Sequence, residues 1–175
     1  MRVAILGFSM QFQRIGGLEI QMLETISALQ RLGCDARLFN VYKERISDFE
    51  VVHVFSVING NHRIVEFACA ARIPVVLSPL IRPHWTKSLA RRARLADTVV
   101  GRLTHWNVTT EYRQITSGLT NADRCIALGN IEKRCIHDAF NISADRIDVI
   151  PNGIPQRFFD SCAQPFLDAF GLEPG

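Results

Sequence analysis

The chain opens with a short apolar strand pattern, a glycine pair and a long helical pattern. Residues 2–7 (RVAILG) predict a buried strand, and Gly16 and Gly17 precede apolar residues that recur at helical spacing. A strand–loop–helix unit points the free backbone N–H groups of the helix beyond the carboxyl end of the strand, where they can bind an anion. Glycines allow close backbone approach because they lack a Cβ atom. This start predicts a ligand-binding α/β domain.

Strand and helix patterns alternate along the rest of the chain. Further strands are predicted at 35–40, 49–55, 73–77, 124–128 and 147–150, and helices at 18–32, 59–72, 85–119 in two or more pieces, and 131–140. Such alternation predicts a parallel sheet with helices on both faces, joined by right-handed crossovers. The predicted fold is therefore a Rossmann-like, doubly wound α/β domain over residues 1–150, with ligands at the carboxyl ends of the strands. Residues 151–175 predict a linker with one helix near Asp168.

Composition excludes several classes of protein. A chain of 175 residues that is 47% hydrophobic and 21% charged is typical of one globular domain. The net charge of +3 is too small to indicate nucleic-acid binding. Five cysteines without a CxxC spacing predict free, mostly buried thiols in a reducing compartment. No signal-peptide pattern precedes the first strand, and no apolar run reaches the roughly 18 residues of a membrane span. These features predict a cytoplasmic protein.

Five segments, in order, resemble the N-terminal half of a family-4 glycosyltransferase of the GT-B type. They are GGLE at 16–19, DFEVVHVFS at 48–56, IPVVLSP at 73–79, ADRCIA at 122–127 with EKR at 132–134, and IDVIPNGI at 147–154. The resemblance implies an N-terminal domain that holds the acceptor, facing a C-terminal domain that holds a nucleotide sugar. It implies that residues 151–175 lead to an absent donor-binding domain, so that this chain alone has little or no activity.

The implied reaction transfers a sugar from a nucleotide sugar to an acceptor hydroxyl, with retention, in cell-surface polysaccharide or glycolipid synthesis. Helix N-termini and glycine-loop N–H groups can stabilise the leaving diphosphate without a metal. The sequence shows no metal-ligand pattern, and neither a metal nor another cofactor is expected.

Three candidate residues lie around the first helix. Gly16 and Gly17 are expected to approach the donor diphosphate or the acceptor, and the alternative is a tight turn before the helix. Glu19 lies in the first helical turn. It either contacts a ligand or only stabilises the helix dipole.

Other candidates follow the third and fourth strands. His53 lies near the carboxyl end of a buried strand, where it either contacts a ligand or is a hydrogen-bonded core side chain. Ser56 and Ser78 lie at the strand exits, where ligands gather in open α/β sheets. Many relatives carry a histidine two residues after the serine, but Leu80 occupies that position here. The nearest histidine is His84.

His84 is the candidate catalytic residue, because it could orient an acceptor hydroxyl or take its proton. Its alternative role is that of a surface histidine in the loop. Arg82 is a second binding candidate from this loop. Asn152 and Gly153 are expected to shape the hinge through left-handed backbone and to line the cleft, or to form a turn without ligand contact.

A basic cluster spans residues 82–94 and is interleaved with apolar residues. Its members are Arg82, Lys87, Arg91, Arg92 and Arg94, with Ile81, Trp85, Leu89 and Leu95 among them. On a helix, this pattern predicts peripheral contact with the inner face of a membrane or with a phosphorylated lipid acceptor. The alternative is a solvated helix face.

Two other functions remain open at this point. The chain could be a free-standing Rossmann-like nucleotide-binding module, although GxGxxG is absent and Asn40, not an acidic residue, ends the second strand. It could also be one subunit of a split transferase.

Overall fold

The computed structural model describes residues 1–8, 10–13, 16–154, 159 and 162–171. Within these residues, six strands form one sheet in the order β2-β1-β3-β4-β5-β6, and every neighbouring pair is parallel. The strands are β1 (Arg2–Leu6), β2 (Asp35–Leu38), β3 (Val51–Phe55), β4 (Val75–Ser78), β5 (Arg124–Ala127) and β6 (Ile147–Val149). The predicted doubly wound parallel sheet is confirmed.

The described α-helices connect these strands. They are α1 (Gly17–Arg31), α2 (Asn61–Ala70), α3 (Lys87–Leu103), α4 (Glu111–Asn121), α5 (Asn130–Phe140) and α6 (Gln164–Phe170). Short 3-10 turns occupy Gln11–Gln13, Ile46–Asp48 and Ala144–Arg146. None of the described helices combines the length and apolarity that crossing a bilayer would require.

Alternate residues of each strand point to opposite faces of the sheet, and each face has its own core. On the first face, which we call the α1 face, Val3 and Ile5 pack with Met22 of α1. On the opposite face, the larger core joins Ala4 and Leu6 to residues of α2, α4 and α5. Helices therefore cover both faces, as predicted.

The α1 face is the less covered of the two. The connection from β2 to β3 contains a 3-10 turn at Ile46–Asp48 rather than an α-helix. Val76 of β4 and Ile126 of β5, which point to this face, are consequently only half-buried. Because parallel sheets normally bury both faces, this open side leaves room for a further element or a ligand.

The side chain of Met22 in α1 packs closely against Gly7, the residue after β1. A Cβ atom on Gly7 would lie 2.9 Å from Sδ of Met22, which is buried beneath α1. A side chain at position 7 would therefore push the flexible end of the Met22 side chain aside.

The region predicted to be helical from 85 to 119 contains two helices, α3 and α4, as expected. Thr86 and Thr110 cap their amino ends by accepting hydrogen bonds from Leu89 N and Arg113 N. Between the helices, His105 and Trp106 adopt left-handed backbone. The amino end of α2 has no side-chain cap, because Gly60 occupies the N-cap position, and the side chain of Asn61 instead donates to Phe55 O.

All five cysteines are free, as predicted, but their burial differs from the expectation. Cys125 and Cys135 are buried, whereas Cys69 and Cys162 are exposed. Burial raises the pKa of the Cys125 thiol to about 11, so this group stays protonated and serves as a small apolar side chain.

Candidate functional site

The sheet reverses its winding between β1 and β3, and this reversal positions the candidate site. The chain leaves β1 for α1 on one face and leaves β3 for α2 on the other. The two helices therefore diverge and open a crevice beyond the carboxyl ends of these strands. Ligands of open α/β sheets bind at such a point.

The amino end of α1 is open towards this crevice. Gly16 is the N-cap residue and supplies no side-chain hydrogen bond to the first-turn amides. A Cβ atom at Gly16 or Gly17 would meet nothing within 4 Å among the described residues. Among the described residues, packing therefore does not require glycine at either position, and none of them lies where a ligand would meet the N–H groups of the first turn.

Glu19 lies in the first turn of α1 and carries an unsatisfied oxygen. Its Oε2 is buried without a hydrogen-bond partner among the described residues. A buried carboxylate oxygen without a donor is unfavourable, and such groups require a specific explanation. A ligand hydroxyl or amine beside α1 would supply the missing donor.

The exit of β3 has a constrained backbone. Ser56 follows the strand with φ of 65°, a left-handed conformation that is unusual for a residue other than glycine. Two contacts hold it: its amide donates to Ser78 O at 2.8 Å, and its carbonyl accepts from Asn61 Nδ2 at 3.1 Å. Asn61 Nδ2 also donates to Phe55 O at 3.0 Å. Such locally unfavourable conformations cluster at functional sites.

His53 and Ser78 form a buried polar pair on the α1 face. His53 Nε2 lies 2.9 Å from Ser78 Oγ, and the imidazole stacks on Phe55 with ring centroids 4.2 Å apart. Burial lowers the pKa of His53 to about 4, because the charged imidazolium loses its solvation. His53 is therefore neutral at physiological pH. A hydrogen-bonded core side chain was one of the two roles predicted for it from the sequence, and its contact with Ser78 agrees with that role.

The loop after β4 carries Arg82 and His84, and both side chains are exposed. His84 stacks on Trp85 at a centroid distance of 5.5 Å. In the part of the chain that the structure describes, neither residue forms a side-chain hydrogen bond with another candidate. The two side chains are free to meet a ligand at this edge.

A single carboxylate ties the loops after β4 and β5 together. Glu132 of α5 is buried; its Oε1 accepts from Ile81 N at 2.7 Å and its Oε2 from Leu128 N at 2.8 Å. Glu132 is not among the residues predicted from the sequence to belong to the site, since its partners Ile81 and Leu128 are 51 and 4 residues away along the chain. Glu132 thereby sets the position of the loop that bears Arg82 and His84.

A groove of about 1020 Å³ lies on the open α1 face. Its floor is formed by β3, β4 and β5, and its walls are α1 and residues 150–154. We call it the α1 groove. It brings together five of the predicted site residues: Gly17, His53, Ser78, Asn152 and Gly153. One end reaches the carboxyl edge at Gly17, and the other reaches the amino edge at Leu32.

The remaining candidates lie outside the lining of the α1 groove. Gly16 and Glu19 belong to the start of α1, whereas Ser56, Arg82 and His84 belong to the loops after β3 and β4. The structure thus places every candidate either in the groove or at the carboxyl edge of the sheet.

The left-handed backbone conformation predicted for the hinge residues is wrong. Asn152 and Gly153 are exposed on the groove wall, but neither adopts the predicted left-handed conformation. A Cβ atom on Gly153 would meet none of the described residues within 4 Å. Just before these residues, Ile150 N continues the pairing of β6 with β5 by donating to Ala127 O at 2.9 Å.

The described residues contain no group of three or more histidine, cysteine, aspartate or glutamate side chains that could hold a metal ion. The polar groups at this edge include backbone amides, hydroxyls, a neutral imidazole, exposed cations and the Glu19 carboxylate. Such a set suits a ligand that carries hydroxyl and anionic groups.

Comparison with known proteins agrees with this geometry. A comparison with curated proteins finds no significant match. The family model for Glycosyltransferase Family 4 matches residues 15–157, which is more than four fifths of the chain. The match spans α1, the α1 groove and the loops at the carboxyl edge, and the parallel sheet agrees with the N-terminal half of a GT-B fold. The chain therefore belongs to glycosyltransferase family 4.

Proposed function

We propose that this domain forms the acceptor-binding wall of an enzyme that transfers a sugar from a nucleotide sugar to an acceptor hydroxyl. The observation that carries the proposal is the uncapped amino end of α1, with open space around Gly16 and Gly17. Glu19 Oε2 in the same turn, which has no hydrogen-bond partner among the described residues, adds an acceptor for a sugar hydroxyl.

The start of α1 would stabilise negative charge that develops during transfer. As the bond to the anomeric carbon breaks, the diphosphate leaves with negative charge, and preorganised N–H dipoles favour that change. We propose that this occurs with retention and without a metal. Glutamates of a C-terminal domain would contact the donor ribose and sugar, so the 175-residue chain alone would have little or no activity.

His84 is the proposed residue for handling the acceptor proton. Its ring is exposed in the loop after β4, which the buried Glu132 and the contact of Cys135 Sγ with Pro83 O hold in place. Arg82 beside it would bind an anionic part of the acceptor. His53 is unsuited to proton transfer from a substrate, because it is buried and bonded to Ser78.

We further propose that the acceptor is a polysaccharide or glycolipid precursor and that the enzyme works in the cytoplasm. The polar groups of the site and the free thiols fit this assignment. A subunit of a split transferase would use the same surface, with the donor wall supplied by a separate chain.

A transfer assay tests the proposal. The chain would be assayed alone and joined to a C-terminal donor domain, with radiolabelled nucleotide sugars and lipid-linked or oligosaccharide acceptors. Activity that requires the second domain and falls in the His84→Gln variant supports the proposal. Full turnover by the chain alone contradicts it.

Binding measurements separate this function from that of a nucleotide-binding module. We expect acceptor sugars to raise the melting temperature of the chain, while NAD leaves it unchanged. A rise with NAD that the Gly17→Pro variant abolishes would favour the nucleotide-binding module instead.

A further inference from the structure

The sequence contains two asparagine–glycine pairs, which begin at Asn59 and Asn152. Both pairs are exposed to solvent. An asparagine before a glycine can lose its side-chain amide without an enzyme, because the backbone nitrogen of the glycine can attack the side-chain carbonyl carbon. Glycine favours this attack, since no Cβ atom shields its nitrogen and its backbone turns freely. The two pairs nevertheless lie in very different surroundings.

The first pair is held by hydrogen bonds on both sides. Gly60 N, the atom that would attack, donates to Gln114 Oε1 at 3.3 Å. Gly60 O accepts from Arg63 N at 3.0 Å. Across the same turn, Ile58 O accepts from Asn61 N at 3.3 Å. Both residues of the pair adopt left-handed backbone, with φ of 61° and 89°. Closing a ring here would require the turn and the start of α2 to open.

The second pair has none of these restraints among the described residues. Asn152 and Gly153 form no hydrogen bond with any of them, and neither residue has left-handed backbone. A Cβ atom at Gly153 would contact no described residue within 4 Å, so nothing among them crowds its nitrogen. The peptide group between the two residues can therefore rotate towards ring closure.

We propose that Asn152 is a site of spontaneous deamidation. A base in the solvent removes the proton from Gly153 N, and that nitrogen forms a bond to Cγ of Asn152. The bond from Cγ to Nδ2 breaks, and ammonia leaves with a proton from water. A second water then opens the succinimide ring. Attack of this water on Cγ gives aspartate, whereas attack on the backbone carbonyl carbon gives isoaspartate.

Freedom of the peptide group selects Asn152 over Asn59. The nitrogen and the carbon that it attacks must approach to about 3–3.5 Å in the correct orientation before the bond can form. The hydrogen-bonded turn at Asn59 opposes that approach, whereas the described surroundings of Asn152 do not. In the folded chain, deamidation at Asn152 should therefore be about 100-fold faster than at Asn59.

Deamidation would change the wall of the α1 groove. Asn152 lines the groove, and both products carry a carboxylate where the amide was neutral. The net charge of +3 consequently falls by one. The isoaspartate form also lengthens the main chain by one carbon atom between Pro151 and Gly153. The inference does not depend on the transferase chemistry.

Peptide mass spectrometry tests the proposal on the 175-residue chain. The folded protein would be incubated in mildly alkaline heavy-oxygen water, so that each deamidation adds a labelled oxygen, and digested with trypsin in ordinary water. Cleavage after arginine places the two asparagines in separate peptides, 46–63 and 147–157. We expect label to accumulate at Asn152 while Asn59 stays nearly unlabelled. Ion exchange should resolve the product as a more acidic species.

The chain unfolded in guanidinium chloride is the control for sequence alone. Both asparagines precede a glycine, so their rates should become similar once the turn at Asn59 is lost. The unfolded chain also verifies that the conditions allow the reaction. No label at Asn152 in the folded protein, when the unfolded chain is labelled, would overturn the proposal. Equal labelling of the two sites in the folded protein would overturn it as well.

Two variants test the mechanism. Gly153→Ala places a methyl group beside the attacking nitrogen and should slow deamidation at Asn152 several-fold. Gln114→Ala removes the acceptor of Gly60 N, so it should accelerate deamidation at Asn59 and leave Asn152 unchanged. Circular dichroism would verify that both variants fold. An unchanged rate in Gly153→Ala would exclude attack by the glycine nitrogen.

Discussion

His53 and Ser78 meet across neighbouring strands, with Nε2 of the histidine 2.9 Å from Oγ of the serine. The register pairs His53 with Val76 and Phe55 with Ser78, so the hydrogen bond is diagonal. The same face stacks His53 on Phe55. The pair therefore makes the floor of the α1 groove polar at the end nearest Gly17.

Ser78→Ala should destabilise the fold, because it removes the partner of a buried imidazole nitrogen. The expected loss in the free energy of unfolding is about 1–3 kcal/mol, measured by urea denaturation. Ser88→Ala, on the exposed surface of α3, is the control and should change it by less than about 0.5 kcal/mol. Equal effects of the two substitutions would show that the buried hydrogen bond contributes nothing.

Acid should destabilise the protein through His53. Its pKa is lowered from 6.5 to about 4 in the folded chain, so the unfolded chain takes up a proton first as the pH falls. The free energy of unfolding should therefore decrease between pH 6.5 and about pH 4, by roughly 3 kcal/mol at most. Above pH 6.5 this contribution is constant.

Unfolding of the His53→Gln variant over the same pH range isolates this effect. The variant should lose less stability on acidification than the unmodified chain. His62, whose pKa burial also lowers, remains in both proteins and cancels in the comparison. Identical pH profiles would contradict the assignment to His53.

Glu132→Gln should loosen the loop that carries the catalytic candidate. Glutamine keeps one acceptor oxygen, so either Ile81 N or Leu128 N loses its partner. We expect a loss of about 1–3 kcal/mol in the free energy of unfolding. Hydrogen exchange should accelerate at the amides of residues 81 and 128. Glu111→Gln, at an exposed position of α4, should leave both measurements nearly unchanged.

Gly101→Ala should disrupt the junction between α3 and α4. The new Cβ atom would lie 2.0 Å from the Trp106 ring, which must move away from the guanidinium of Arg113, now 4.1 Å from its centroid. Overpacking of this kind costs about 1–3 kcal/mol, measurable as a lower melting temperature. Gly153→Ala, whose Cβ atom would meet none of the described residues within 4 Å, is the control and should melt like the unmodified chain.

Glu19→Gln should separate function from stability. The substitution replaces a carboxylate whose buried Oε2 has no partner among the described residues by a neutral amide, which costs less to bury, so the free energy of unfolding should stay constant or rise. In the enzyme with its donor domain, kcat/KM should fall about tenfold or more if Glu19 accepts a substrate hydrogen bond. Unchanged kcat/KM, with Glu111→Gln as the reference variant, would limit Glu19 to a structural role.

The local pattern of the sequence determined the sheet and most of its helices. Apolar runs such as Val51–Phe55 can be buried on both sides only in a central parallel strand. Because parallel strands run in the same direction, the sequence also indicates which residues lie at the carboxyl edge of the sheet. Candidates such as Gly17 and Ser78 were found this way, since each is adjacent to a strand or helix end. Element ends were less accurate, as with the sixth strand, which ends at Val149 rather than at residue 150.

Contacts between residues distant in the chain were decided only by the tertiary structure. Asn61 turns to the β3 carbonyls instead of capping α2, and Glu132 bridges two loops, because the packed strands bring these partners within reach. The tertiary structure likewise decided that Trp85 is buried in the core whereas Leu95 is exposed to solvent. Both residues are apolar neighbours of arginines in the sequence, and only packing against Tyr112 and Phe140 distinguishes them.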